Sequence, residues 1–134
     1  MKAIFFFIIV SLGLFPTKSK NSPDKIILLI DQMPGERPIA NTIETFWGDK
    51  EYFDTIQITG NTIVDKINNT IGGFKMVKES ISYESCLIRF AQGRPVDTFY
   101  SWRWFDYWEK KGRMYRDYSR TLENLFLKLH YVQW

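Results

Sequence analysis

Apolar positions cluster first at the N-terminus. Ala3 to Phe15 is a run of thirteen residues without a charge, set between Lys2 and Pro16. A membrane-crossing helix needs about 20 apolar residues. Thirteen is the size of a signal-peptide core, and the basic residue is on the correct side of it. Thr17 and Ser19 place small residues where cleavage after Ser19 requires them. An uncleaved anchor or a buried core element is the alternative. As a core element, Phe5 to Val10 would have to be covered on every side. The expectation is a signal peptide over 1–19 and one domain over 20–134. The protein is then exported, periplasmic or extracellular, with a bacterial envelope as the expected setting and no membrane span in the mature form.

Beyond Pro23 the pattern changes. Ile26 to Ile30 is five apolar residues in a row and reads as a buried strand. Asp31 to Lys50 has weak periodicity and contains Pro34, Gly35, Pro38 and Gly48. This long loop is expected to hide a short strand near Ile43–Trp47. Phe53 to Thr59 alternates and predicts a strand. Asn61 is placed to cap a helix over Thr62–Ile71, with Ile63, Ile67 and Ile71 on one side, and Gly72-Gly73 closes it. Phe74–Glu79 and Ile81–Gln92 read as strands. The second changes its apolar phase along its length, which predicts a bulge or bend. Gly93-Arg94-Pro95 predicts a turn, Val96–Trp108 a strand, and Glu109–Gly112 a turn into a strand from Arg113. Ser119 is placed to cap a last helix running to about His130. Leu122, Leu125, Phe126 and Leu129 form one clean apolar face on it.

This order predicts an α+β domain: one twisted antiparallel sheet of four to six strands, with two helices packed on one face. The length allows a single core of ordinary size.

Seven aromatic residues fall within ten positions, from Phe99 to Trp108. On an unbroken strand, Tyr100, Trp102, Trp104 and Trp108 point one way, with Asp106 among them. Phe99, Arg103, Phe105 and Tyr107 point the other. Two aromatic faces exceed what helices on one side can cover. One face is therefore expected to be wet, or to lie under the 31–50 loop. Exposed Trp and Tyr offer flat apolar surface with a polar edge, suited to a partner protein or a sugar ring. Core packing is the competing use of the same rings.

Charge sharpens this picture. The chain carries 18 basic and 15 acidic groups. Loss of residues 1–19 removes Lys2 and Lys18 and lowers the formal charge from +3 to +1. Residues 100–134 hold seven basic and four acidic groups, a local excess beside the aromatic segment. Basic charge among rings also suits single-stranded nucleic acid. An exported protein rarely meets it, and no nucleic-acid partner is expected. The candidate contact residues are Tyr100, Trp102, Arg103, Trp104, Asp106, Trp108 and Arg113.

Chemistry is sparse. Cys86 and His130 are single residues with no spacing that joins them, and together they make none of the usual zinc sets. No disulfide framework, metal site, cofactor or glycine-rich phosphate loop is expected. Glu84 and Asp106 are read as strand residues able to meet across the sheet. Their catalytic use would need a carboxyl raised by burial, while ordinary pairing of Asp106 with Arg103 or Arg89 is the plainer role. Asn68-Asn69-Thr70 matches a glycosylation sequon inside a predicted helix. The leading reading is a small exported protein that binds without chemistry of its own, with the oligomeric state open. A carbohydrate or cell-wall module and a small carboxylate-dependent hydrolase are the alternatives.

Overall fold

A computed structural model describes residues 22–32, 42–48 and 50–132. The expected signal peptide of 1–19 and part of the 31–50 loop lie outside the described residues. The fold is α+β, and the described residues form one antiparallel sheet of seven strands and three helices. The strands are β1 (Lys25–Asp31), β2 (Phe53–Ile58), β3 (Lys75–Val77), β4 (Ser85–Ala91), β5 (Arg94–Ser101), β6 (Tyr107–Lys110) and β7 (Arg113–Arg116). The helices are α1 (Ile43–Gly48), α2 (Asn61–Gly72) and α3 (Thr121–Val132), and a short 3-10 turn spans Lys50–Tyr52. The sheet order is β2-β1-β4-β5-β6-β7-β3. Seven strands exceed the expected four to six because the segment read as one strand over 96–108 is two. The strand expected after Phe74 is the short β3, which lies at the far edge beside β7.

Strand β1 shows why its apolar run is continuous. Ile26, Leu28 and Ile30 enter the main core, while Ile27 and Leu29 turn to the other face. A strand covered on both sides has no need of alternation. The main core lies between the sheet and α2 with α3. It joins Ile56, Ile58, Val64, Ile67, Leu87, Phe99, Phe105, Trp108, Leu122 and Phe126 to β1. The opposite face is covered by α1, where sequence reading expected a short strand. Thr42 caps this helix, its Oγ1 accepting from the Thr45 amide at 3.1 Å. The helix lays Phe46 fully buried against Cys86, Leu29 and Phe53. Residues 43–48 thus cover Tyr100 of the expected aromatic face, and they do so as a helix. Helix propensity is weak over six residues, so the packing of Phe46 decides the conformation.

The hairpins follow their turn residues. Gln92-Gly93 and Lys111-Gly112 both have positive φ at each central position, the type I′ geometry that matches strand twist. Pro95 is therefore already inside β5. It sits opposite Phe90, where the register shifts between Arg89 and Phe90, and a bulge tolerates the missing amide donor. The change of phase read between Tyr83 and Ile88 falls at the entry to this strand, which begins at Ser85 and not at Ile81, and is separate from the bulge at Arg89 and Phe90.

Helix α2 begins after Gly60 without a side-chain cap, so Asn61 does not serve as one. It buries Val64 and Ile67 and leaves Ile63 exposed. Helix α3 buries Leu122 and Phe126 as expected. Its start is held chiefly by Asp117. That carboxylate accepts from the amides of Ser119 at 3.1 Å and Leu122 at 3.0 Å, and Ser119 Oγ donates to it as well. No helix among the described residues is long and apolar enough to cross a membrane.

Candidate functional site

The link from β5 to β6 is where the aromatic segment departs from a strand. Trp102 to Asp106 forms a tight loop, turned by Phe105 at φ +58°. Such a φ is unfavourable for a bulky side chain, and here burial holds it. Phe105 inserts into the main core against Phe126, at 5.6 Å between ring centroids, and Trp108. The Trp108 indole donates to the Phe105 carbonyl at 2.7 Å. With Phe105 pinned inward, Arg103 and Trp104 project outward, and Trp104 is 44% exposed. Across the loop the Trp102 indole donates to Asp106 Oδ1 at 2.6 Å.

A ribbon of rings and charge continues from this loop along the sheet. Trp102 meets Tyr107 edge-on at 6.1 Å. The Arg116 guanidinium lies 5.1 Å from the Tyr107 ring and 4.8 Å from the Tyr118 ring. Strand register explains the meeting, because Tyr107 pairs with Arg116 across the β6–β7 hairpin. Tyr118 is 60% exposed. Arg116 Nε is buried and has no hydrogen-bond partner among the described residues, and the two ring faces order the guanidinium. Arg103, itself exposed, lies 3.7 Å from the largely buried Glu84 carboxylate, a long contact that fixes the guanidinium weakly. The arrangement presents aromatic edges and two guanidinium groups. It can hold an anionic, partly apolar surface.

The sequence-selected residues divide among different surroundings. Trp102, Arg103, Trp104 and Asp106 are together in the loop. Tyr100 and Trp108 do not share a face with them, since the break after Ser101 resets the alternation. Tyr100 lies under α1, where its hydroxyl accepts from the Trp47 indole at 2.9 Å. Burial pushes its hydroxyl above the ordinary tyrosine value. Trp108 is fully buried in the main core. Arg113 is exposed at the far end of the hairpin, about 10 Å along β7 from Arg116 at the usual strand rise. Tyr107, Arg116 and Tyr118 were missed. The signal was present: a two-residue turn at Lys111-Gly112 fixes the pairing of 107 with 116.

The acidic candidates also separate. Glu84 lies just before β4 and Asp106 just before β6, outside the strands expected for them. Arg89 does not pair with Asp106. It is engaged by Asp97, as described below, and Asp106 takes the Trp102 indole. Burial raises the Glu84 carboxyl above its ordinary value, against the opposing charge and hydrogen bonding of Arg103. The cavity beside it, lined by Ser85, Trp102 and Phe105 among others, holds about 50 Å³. That is room for one or two waters and not for a substrate.

Cys86 is fully buried, and burial pushes its thiol up to about 12. A thiol of that kind is not a nucleophile at neutral pH. The His130 side chain lies outside the described residues. Among the described residues, no group of three or more His, Cys, Asp or Glu could hold a metal. The sequon residue Asn68 is half-buried, its amide donating to the Pro23 carbonyl at 3.0 Å, which leaves it poorly placed for modification.

Compared with known proteins, the chain matches no family model, no curated protein and no solved structure.

Proposed function

We propose that this chain is a small exported binding domain without chemistry of its own, and that the Trp102–Tyr118 ribbon is its contact surface for an acidic patch on another protein. The observation that carries the reading is the Tyr107–Arg116–Tyr118 stack, continued by Trp102, whose loop also carries the exposed Trp104. Rings and guanidinium groups are the side chains that dominate binding energy at protein interfaces. The ribbon's own scaffold is rigid, because Phe105 and the Trp102–Asp106 bond fix the loop. A pre-ordered surface loses little entropy on binding.

A sugar platform is less well supported. Pyranose rings stack on flat, open aromatic faces, whereas Trp102 and Tyr107 stand at 65° to one another. A hydrolase built on Glu84 has one raised carboxyl and a cavity too small for a substrate.

The test uses the wild-type protein with Trp104→Ala and Arg116→Gln as variants, each verified folded by circular dichroism. Affinity capture from an envelope extract should retain one defined partner with wild type and lose it with both variants. Equal retention by all three would remove the ribbon from the function. A change in tryptophan emission on adding cell-wall glycans would favour the carbohydrate reading instead. Export has its own measurement: a soluble envelope species whose intact mass begins near Lys20 fits it, and a full-length membrane-held species refutes cleavage.

A further inference from the structure

On the sheet face opposite Tyr107 and Arg116 lies a larger recess. It opens between the C-terminal turn of α2 and the strands β4 to β7, with a volume of about 320 Å³. That is the lower end of the range for small-molecule sites. Its walls include Asn68, Phe74, Arg89, Phe99, Lys110 and Tyr115.

The charges around it do not cancel. Arg89 and Lys110 both reach one carboxylate, Asp97, which is only 7% exposed and is not part of the wall. Two cations over one anion leave a surplus of one positive charge facing the recess. The donors do not cancel either. Arg89 gives Nε–H to Asp97 Oδ1 at 2.7 Å, one NH2 hydrogen to Oδ2 at 2.5 Å and one NH1 hydrogen to Asn68 Oδ1 at 3.3 Å. Lys110 gives one hydrogen to Asp97 Oδ2 at 3.3 Å. A guanidinium has five donors and an ammonium three, so two on each remain unused by described protein groups.

The apolar part of the wall is aromatic. Phe74 stacks near Tyr115 at 6.4 Å and 29°, and meets Phe99 edge-on at 5.9 Å. Both cations lie over the Phe99 ring, Lys110 at 5.1 Å and Arg89 at 5.5 Å. This contact orders them beside the apolar wall. Asn68 joins α2 to Arg89, so the guanidinium is held before any ligand arrives.

We propose that this recess binds a small aromatic carboxylate, its ring against Phe74 and Tyr115 and its carboxylate on Arg89 and Lys110. A carboxylate carries one negative charge and matches the surplus. A phosphate group carries about −1.5 to −2 at pH 7 and exceeds it. The guanidinium and ammonium together offer the donor geometry that a carboxylate accepts. The site is separate from the ribbon, so either can fail without the other.

The test is a titration of the full chain with 2-naphthoate, followed by amide NMR. Neutral 2-naphthol and inorganic phosphate serve as comparison probes. The expected result is saturable one-to-one binding of naphthoate, with shifts centred on Phe74, Lys110 and Tyr115. Naphthol should bind at least about tenfold more weakly, the effect of losing charge-assisted bonds. Lys110→Gln leaves the Arg89–Asp97 pair whole and should weaken naphthoate by about tenfold. Tyr115→Leu keeps all three charges and should weaken naphthoate and naphthol alike. Equal affinity for naphthoate and naphthol would overturn the proposal in favour of a merely apolar hole. Phosphate binding tighter than naphthoate would make it a bare anion site, and no saturable binding would remove it.

Discussion

Replacing Asp97 with Asn tests how far the charged cluster contributes to the fold. The carboxylate accepts two bonds from Arg89 and one from Lys110 while almost fully buried. Asn keeps the shape and one acceptor oxygen. It sets an NH₂ against a guanidinium donor and leaves two cations without their counter-ion. Removing one partner from a buried ion pair costs about 3–5 kcal/mol. Lys110 stays partly hydrated, which lowers the expectation to about 2–4 kcal/mol at pH 7. For a domain of this size that is a fall in Tm of roughly 8–15 °C.

The pH dependence supplies the sharper check. Burial alone would raise the Asp97 carboxyl, but the hydrogen bonds and charge of Arg89, joined by Lys110, outweigh it and hold the group below its ordinary value of 3.8. A depressed folded pKa means that the folded state retains the charge more tightly than the unfolded chain. The stabilisation is therefore full above the ordinary value and is lost as pH falls through the folded one. Thermal melts of wild type and Asp97→Asn by far-ultraviolet circular dichroism, from pH 7 down to pH 2, should converge at the acid end. A variant within about 0.5 kcal/mol of wild type at pH 7 would refute the reasoning. So would a gap that stays constant to pH 2, since its origin would then be steric.

Other outcomes follow from the same contacts. Trp104→Ala should change stability by no more than about 0.5 kcal/mol, while Trp108→Ala should cost about 3–5 kcal/mol; urea midpoints compare the two, and equal losses would mean that the loop ring is also core. Cys86 should resist a thiol-specific reagent at pH 8 in the native protein and react fully in guanidinium, because its thiol is pushed up to about 12; prompt native reaction would contradict its burial. Glu84→Gln should stabilise the fold at pH 7, since a raised folded carboxyl penalises ionisation, and the difference should disappear below the ordinary value of 4.5. Denaturant midpoints at pH 7 and pH 3 check the sign.

What could be read from the sequence and what could not divide along physical lines. The apolar face of α3 was legible because Leu122, Leu125, Phe126 and Leu129 obey one helical period over a whole element. The change of phase after Tyr83 was legible too, but it marks where the strand begins at Ser85 and not the bulge near Phe90. Helix α1 was not, because six residues hold too little periodicity and Phe46 is helical for reasons found in β1, β2 and β4. The break at Trp102 was hidden by composition. Seven aromatics suit a strand, and nothing local marks Phe105 as the residue that turns inward at positive φ; its partner Phe126 is 21 positions away. This one misreading has the largest functional effect. It put Tyr100 and Trp108 on the same face as Trp104, whereas one lies under a helix and the other is fully buried. The same break turns Trp104 outward, while the Tyr107–Arg116–Tyr118 stack is a grouping fixed by pairing and not by nearness in the chain. The recess shows the same limit more strongly. Asn68, Arg89, Asp97 and Lys110 come from one helix and three strands, and each reads alone as an ordinary surface polar residue. Register brings Arg89 opposite Asp97 and puts both on the face of the Leu87–Phe99 pair, two residues along the strands. Local pattern therefore locates the elements, and pairing assembles the candidate sites, so substitutions that shift register should disturb both sites before they disturb the core of α3.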